Sequence, residues 1–330
     1  MPKRRDVLAF GLAVLSARML SPRCARAQSN YPDRPIKLVI PFPPGGSFDA
    51  IGRPWADRMK TLLGTVVVEN QGGGGGSLAA AAVARAQPDG YTILLGGSTA
   101  LGLYTLTRSR PLYDPIKDLT PIAMLAFVPY AIAVHPSAPA RNLKELIDYA
   151  KANPGKLSYG SAGTGSLNHM IGEMFKLLAG APGIVHVPYR GAGPAISDAV
   201  GGQIPMVVPA VNGQLLEFHR AGKLRVLAVT GPNRLAAAPD IPTVNEAGVP
   251  GMVAQNIIGL VAPMGTPKDN IEKISQATRA ALAEREFQNI LIASGFEPYL
   301  DTSPDKFRRF IEEEIVRWTP VIKVIGLKLD

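Results

Sequence analysis

The chain has 330 residues, of which 46% are hydrophobic and 18% are charged, and its formal net charge is +9. This length is enough for two separate cores, so we expect two lobes. A single cysteine excludes a disulfide framework, and the lack of a basic run interleaved with aromatic residues argues against nucleic-acid binding.

The first 27 residues differ from the rest of the chain. A basic start, an apolar run over residues 7–17 and a small-x-small site at 25–27 predict an export signal, residues 1–27. The pair Arg4-Arg5 fits a twin-arginine signal as well as an ordinary Sec signal. The apolar run is far shorter than the roughly 20 residues of a membrane span.

Removal of this signal changes the charge and the thiol content. The signal holds six of the 35 basic residues, one of the 26 acidic residues and the only cysteine, so the mature chain carries about +4. Arg23 makes a lipid anchor at Cys24 a poor fit. A protein without disulfides is compatible with a bacterial periplasm when its core is large, and we predict that location.

Strand-like and helix-like patterns alternate along the mature chain. The predicted strands are 36–40, 66–68, 92–95, 131–134, 157–159, 185–187, 206–208 and 226–229. The predicted helices are 50–59, 78–86, 143–152, 167–178 and 305–318. This alternation predicts an α/β fold in which parallel strands are covered by helices. Because no long linker divides the chain, it must cross between the lobes more than once, and 127–130 and 253–259 are candidate crossings.

A glycine-rich turn, Pro41-Phe-Pro-Pro-Gly-Gly-Ser-Phe-Asp49, separates the first strand from the first helix. Free backbone N–H groups and the positive end of the helix dipole make such a turn a site for an anion. The candidate ligand-binding residues in this turn are Pro44, Gly45, Gly46, Ser47, Phe48 and Asp49. Asp49 also fits a structural role in the first helical turn, or it orients Ser47 or a water molecule.

A second turn of the same kind spans residues 158–169. Its candidate ligand-binding residues are Ser161, Gly163, Thr164, Gly165, Ser166 and His169. Ser166 is well placed as a helix N-cap, whereas Ser161 and Thr164 have no such structural duty and are free to face a ligand. His169 fits a hydrogen-bonding wall of the site or a catalytic base.

The composition of the two turns favours a carboxylate as the anion. Neither turn contains Lys or Arg, and the chain has no Gly-x-x-x-x-Gly-Lys-Ser/Thr segment, so nucleotide binding is a poor alternative. The chain also lacks a Gly-x-Ser-x-Gly elbow and a metal-ligand spacing of its histidines, so we expect no catalysis, cofactor or metal. Two further candidates are Ser98, and Asp198, which fits either a ligand contact or a solvated helix position.

Several segments in order along the mature chain together resemble a known family. They are 31–46, Val68-Glu-Asn70, 87–92, 160–166 with His169, Val187-Pro-Tyr-Arg-Gly191, Ala262-Pro-Met-Gly-Thr-Pro267, and 317–323 near the end. These segments are similar to those of the Bug-type (TctC-like) periplasmic solute-binding proteins, which serve tripartite tricarboxylate transporters. The resemblance covers essentially the whole mature chain.

The resemblance implies a two-lobed periplasmic-binding-protein fold of the Venus-flytrap type, with a mixed, mostly parallel sheet flanked by helices in each lobe. The implied lobes are residues 30–129 with 256–330, and residues 130–255. In such proteins the two glycine-rich turns face each other and grip a ligand carboxylate, with Tyr189 added to the site. The implied partners are a small carboxylate and the membrane components of the transporter, and we expect a monomer.

The chain departs from the family pattern at two places near the implied pocket. Phe48 stands where a small residue or Thr is frequent, and residues 256–259 stand where many members carry Trp. The usual ligand therefore does not transfer to this chain. We expect the change Phe48→Ala to alter ligand preference more than stability.

Two other functions remain open at this level. One is an exported serine hydrolase that uses Ser98 or Ser161 with His169. The other is a solute-sensing receptor that contacts a signalling partner instead of a transporter, through the same ligand site.

Overall fold

The computed structural model describes residues 31–329, so the predicted export signal lies outside the described residues. The chain divides into two units, residues 1–33 and residues 34–330. The second unit contains two mixed β-sheets flanked by helices, which confirms the predicted α/β class.

The first sheet has six strands in the order β11-β4-β10-β3-β1-β2. These strands are β1 (Ile36–Ile40), β2 (Val66–Asn70), β3 (Thr92–Gly97), β4 (Leu119–Pro129), β10 (Gln255–Pro263) and β11 (Glu297–Pro298). Strand β1 runs parallel to β2 and β3, whereas β10 is antiparallel to both β3 and β4. All nine residues of β10 are buried, which places this strand at the centre of the sheet.

The second sheet has five strands in the order β7-β6-β8-β5-β9. These strands are β5 (Ala131–Val134), β6 (Ser158–Ser161), β7 (Val185–Pro188), β8 (Met206–Val207) and β9 (Arg225–Val229). Strand β6 is parallel to β7 and β8, and β5 is antiparallel to β8 and β9. The parallel pairing that the sequence predicts therefore holds for one half of each sheet, while β5 and β10 run against their neighbours.

Ten α-helices connect and cover these strands in the described part of the chain. They are α1 (Ser47–Leu62), α2 (Ser77–Ala84), α3 (Tyr104–Thr107), α4 (Leu143–Ala152), α5 (Leu167–Leu178), α6 (Ala192–Val200), α7 (Gly213–Arg220), α8 (Lys268–Ala283), α9 (Arg285–Ala293) and α10 (Pro304–Ile325). Helices α4 and α5 have the predicted bounds, and Ser166 caps α5 by accepting the His169 N–H at 3.2 Å. Within residues 31–329, every helix is too short or too polar to cross a lipid bilayer.

The chain passes between the two sheets through two adjacent segments. Strand β4 leads directly through Tyr130 into β5, and Thr230 follows β9. The Tyr130 N–H donates to the Thr230 hydroxyl at 2.9 Å, and the Thr230 N–H returns a bond to the Tyr130 carbonyl at 2.8 Å. The Ala254 N–H, just before β10, donates to the Thr230 carbonyl at 2.9 Å. The lobe boundaries near residues 129 and 256 stay a prediction.

Helix α10 contributes to the cores on both sheets. Phe307 and Ile311 in its first half pack in the apolar cluster of the first sheet. Trp318 and Ile322 in its second half pack in the apolar cluster of the second sheet, where the Trp318 side chain is fully buried. The helix extends past the predicted end at residue 318, with Pro320 inside it, because its apolar face continues onto the second cluster.

Candidate functional site

The first glycine-rich turn is held by the carboxylate of Asp49. Its Oδ2 atom accepts the Gly45 N–H at 3.1 Å and the Arg53 Nε–H at 2.7 Å, and its Oδ1 atom accepts from Asn70 Nδ2 at 3.1 Å. Burial alone raises the pKa of Asp49, but the hydrogen bonds from Arg53, Gly45 and Asn70 outweigh it and hold that pKa below its ordinary value. Both carboxylate oxygens of Asp49 thus accept hydrogen bonds within the protein, and Asp49 stabilises the backbone of the turn.

The start of α1 leaves backbone donors available in this turn. Gly46 is the N-cap in an extended conformation and makes no side-chain cap. Among the hydrogen bonds of residues 31–329, none uses the N–H of Ser47 or Phe48. Pro44, Gly45 and Gly46 are exposed, and Gly45 has a φ of +87°, which favours glycine. The arrangement can bind an anion through free N–H groups at a helix N-terminus.

The polar side chains of the second turn mostly bond within the turn. The Ser166 hydroxyl donates to the Gly163 carbonyl at 2.6 Å, and the Gly165 N–H donates to His169 Nδ1 at 3.2 Å. The Gly163 N–H donates to the Ser161 hydroxyl at 3.1 Å. Thr164 is the exposed residue of the turn. The side chains of Ser161, Ser166 and His169 therefore fix the backbone of the turn, and Thr164 is the one open to solvent.

A pair of stacked histidines, the buried His169 and the half-buried His186, lies beneath this turn. Ser161 Oγ lies 2.6 Å from Nε2 of His186 on β7, and the His186 ring stacks on the His169 ring with centroids 3.9 Å apart. Burial and the neighbouring His169 lower the pKa of His186 to about 4, although Glu173 opposes this. Burial also lowers the pKa of His169. The hydrolase alternative requires Ser161 to pair with His169. In the structure Ser161 is paired with His186 instead.

Tyr189 and Asp198 form a pair next to the second turn. The Tyr189 hydroxyl donates to Asp198 Oδ2 at 2.9 Å, and both residues are partly exposed. Burial and this carboxylate raise the pKa of Tyr189. A Cβ atom on Gly160 would lie 3.2 Å from the Tyr189 ring, so the ring lies directly against the end of β6. The pair therefore lies beside the end of β6, next to the second turn.

Ser98 has a structural role on the buried side of the first turn. It is fully buried, its N–H donates to Asn256 Oδ1 at 2.8 Å, and its hydroxyl accepts the Ile257 N–H at 3.0 Å. The hydroxyl also hydrogen bonds with the Glu314 carboxyl group. All of these partners are protein groups, so Ser98 orders β10 and does not reach solvent.

Phe48 is also more buried than its position suggests. Its side chain is 8% exposed, and its ring lies 4.7 Å from the Phe42 ring. A Cβ atom on Gly97 would lie 2.6 Å from Phe48 Cζ and 2.8 Å from Asn256 Oδ1. Phe48 therefore packs over the end of β3, and truncation of its ring to Ala removes core contacts as well as any ligand contact. The expectation that Phe48→Ala alters ligand preference more than stability is corrected accordingly, because the ring is part of the core.

The candidate residues form two groups, each at the N-terminus of a helix. Residues 44–49 lie with Ser98 at α1, and residues 161–169 lie with Tyr189 and Asp198 at α5. No hydrogen bond or ring contact joins the two groups within the described residues. Apart from Asn256, which lies in the segment 256–259 that the sequence already singled out, three partners were missed from the sequence: Arg53, Asn70 and His186. Of these, Asn70 lies in the segment Val68-Glu-Asn70, whose resemblance to the family could have indicated a role.

Comparisons with known proteins decide the family. The sequence profile described as "Tripartite tricarboxylate transporter family receptor" matches residues 51–327. The chain belongs to this receptor family. It is 36% identical to Protein BugT of Bordetella pertussis over 332 residues, which covers 98% of each chain.

Solved structures of similar receptors share the fold of this family member. The periplasmic binding protein BugD matches with a TM-score of 0.81 and 34% identity, over 91% of this chain and 100% of its own. The R. palustris protein Rpa4515, solved with adipate, matches with a TM-score of 0.84 and 34% identity over the same shares. This receptor therefore has the two-lobed fold of periplasmic solute-binding proteins, as its sequence predicts.

Proposed function

We propose that the protein captures a small carboxylated molecule in the periplasm and delivers it to the membrane components of a tripartite tricarboxylate-type transporter. The proposed receptor acts as a monomer without catalysis. Its lobes comprise residues 30–129 with 256–330, and residues 130–255. The family membership supports the class of function, and the geometry of the two turns supports the class of ligand.

The observation that carries this proposal is the pair of free N–H groups at Ser47 and Phe48. They stand at the start of a 16-residue helix, where the helix dipole favours a negative group. The nearby Arg53 is paired with Asp49 and adds no net charge. Two backbone donors without a free cation suit the single charge of a carboxylate better than a polyphosphate.

The second half of the proposed grip is the turn before α5. Its backbone is fixed by Ser161, Ser166 and His169, while the exposed Thr164 offers a hydroxyl and its own N–H to the ligand. Tyr189 and Asp198 border this half. A turn that is held in shape before binding loses little conformational entropy when the ligand arrives, which favours affinity.

One backbone donor can be removed without disturbing the helix. Ser47 is the first residue of α1, where proline is well tolerated, and the preceding Gly46 has the extended conformation that a residue before proline requires. We expect Ser47→Pro to weaken binding of a carboxylate about tenfold through the loss of one charge-assisted hydrogen bond. The control Ser47→Ala keeps the N–H and should bind within about twofold of the unchanged protein.

The measurement is isothermal calorimetry or thermal shift with a panel of mono- and dicarboxylates that includes adipate. A ligand at a hundred times its dissociation constant stabilises the fold by about 2.7 kcal/mol, which is readily detected. The absence of any stabilisation across the panel would refute the receptor function. Equal binding by Ser47→Pro and Ser47→Ala would instead refute the role of the α1 donors.

A further inference from the structure

Asn256 carries an unused pair of hydrogen-bond donors next to the first turn. The residue is 8% exposed, and its Oδ1 atom accepts the Ser98 N–H at 2.8 Å. Because only a carbonyl oxygen can accept that bond, the orientation of the amide is settled, and Nδ2 is the remaining atom. Among the hydrogen bonds of residues 31–329, none uses Nδ2 as a donor, and, unlike Asn245 Oδ1, this atom is not one of the fully buried unpartnered atoms.

The position of this amide is beside the proposed carboxylate grip. A Cβ atom on Gly97 would lie 2.6 Å from Phe48 Cζ and 3.3 Å from Asn256 Nδ2, so the amide nitrogen and the Phe48 ring occupy the same side of Gly97. Phe48 in turn belongs to the first turn of α1, whose N–H groups are free. The unpaired nitrogen thus lies on the same side of Gly97 as Phe48, one of the two residues whose N–H groups form the proposed grip.

Hydrogen bonds of the neighbouring residues and the position on a central strand also fix the Asn256 amide. The Ser98 hydroxyl accepts the N–H of Ile257, the residue that follows Asn256, at 3.0 Å, and it hydrogen bonds with Glu314. Asn256 itself lies on the central strand β10, opposite Val128 of β4. A donor fixed in this way is pre-organised, and pre-organisation is what makes one hydrogen bond discriminate between ligands.

We infer that Asn256 is a specificity-determining residue that donates through Nδ2 to a second oxygen of the ligand. This inference rests on the proposed receptor function and narrows its ligand class. The ligand is a small acid that carries, beyond the gripped carboxylate, another oxygen acceptor such as a carboxylate, a carbonyl or a hydroxyl group. A simple fatty acid of the same length leaves the Asn256 donor unpaired and binds more weakly, because a site built to hydrogen bond a polar group rejects the analogue that lacks it.

The test compares two acids that differ only at the far end. Adipate and hexanoate have the same number of carbon atoms, but hexanoate ends in a methyl group. The dissociation constants of both acids are measured by calorimetry for the unchanged protein, for Asn256→Ala and for Asn256→Asp. Asn256→Asp keeps the acceptor for the Ser98 N–H and removes the donor, so it covers the case in which Asn256→Ala fails to fold. Malate and succinate, which differ by one hydroxyl group, provide a second pair.

We expect the preference for adipate over hexanoate to fall about tenfold or more in Asn256→Ala, which loses one hydrogen bond to the second oxygen. In Asn256→Asp the new carboxylate also repels the second charge of adipate, so for this variant the lost hydrogen bond is judged from malate and succinate, which carry equal charge. The ratio cancels effects that weaken all acids equally. The control Asn270→Ala changes an equally buried asparagine whose Nδ2 already donates to the Asp89 carbonyl at 3.0 Å, and it should keep the ratio.

The outcomes separate this inference from the receptor function. If acids bind but neither acid pair changes its ratio in the two Asn256 variants, the role of Asn256 is refuted while the receptor function stands. The same conclusion follows if the ratio falls equally in Asn270→Ala. If no acid binds the unchanged protein, the proposed receptor function is refuted, and the role of Asn256, which rests on it, is refuted with it.

Discussion

The stacked pair of His169 and His186 makes the stability of the fold depend on pH, and a substitution of His186 tests this dependence. The pKa of His186 lies near 4 in the folded protein, whereas an unfolded histidine titrates near 6.5. Between these values the unfolded chain holds a proton that the folded chain lacks. The stabilising effect is therefore complete above about pH 6.5 and is lost progressively as the pH falls toward 4.

The magnitude follows from the same pair of values. The difference corresponds to at most about 3 kcal/mol of unfolding free energy, and because the ring is partly exposed we expect about 1–2 kcal/mol between pH 7.5 and pH 5. The groups around the ring are Ser161 and Tyr159 on β6, and His169, Glu173 and Lys176 on α5. The pKa of His169 is lowered in the same direction, so its titration adds to the effect.

The assay is urea unfolding at the two pH values, followed by the fluorescence of Trp55 and Trp318, which are both fully buried. His186→Gln keeps a polar side chain near Ser161 but cannot take up a proton. Between pH 7.5 and pH 5, we expect the unfolding free energy of this variant to fall by about 1–2 kcal/mol less than that of the unchanged protein. His219→Gln controls for the removal of an imidazole elsewhere in the fold, from helix α7. An equal loss in His186→Gln and in the unchanged protein would refute the reasoning.

Two further changes test packing near the site. Phe48→Ala should lower the unfolding free energy by about 3 kcal/mol because the ring is buried, whereas Phe48→Leu should cost less than about 1.5 kcal/mol and still alter the ranking of acids in calorimetry. Equal affinity losses for all acids would contradict a role in preference. Gly172→Ala places a Cβ atom 2.2 Å from the Tyr159 ring and should cost about 2 kcal/mol or more in urea unfolding, while Gly193→Ala, with nothing within 4 Å, should be neutral or slightly stabilising. Similar urea midpoints for Gly172→Ala and Gly193→Ala would contradict this, because they would show that β6 and α5 repack around the added methyl group at little cost.

The elements that the sequence predicts well have local signals. Helices α4 and α5 are capped by Asn142 and Ser166, whose side chains accept the N–H three residues on, and that bond depends only on neighbouring residues. Strands β4 and β10 are harder to predict along their full length. Proline at 121 and 129 cannot donate to a sheet, and the structure accommodates the pairing with irregularities at 258/259 and 260/261 on β10.

In the candidate site, too, the features with local signals are predicted and those that depend on distant residues are not. Its two turns are visible in the sequence because glycine, proline and serine mark them, but the partners that hold them are distant along the chain. Ser98 meets Asn256 across 158 residues, and Ser161 meets His186 across 25. A buried hydroxyl and a solvent-facing one look alike in a sequence, so the sequence predicts Ser98 at the ligand, whereas the structure places it behind the turn.

The sharing of α10 between the two apolar clusters bears on how the protein unfolds. Separation of this helix would expose Phe307 and Ile311 on one cluster together with Trp318 on the other, so neither sheet retains its packing when the other is lost. Heating should then give one cooperative transition, in which the calorimetric enthalpy equals the van't Hoff enthalpy, instead of two separate ones. The last helix thereby makes two sheets a single thermodynamic unit.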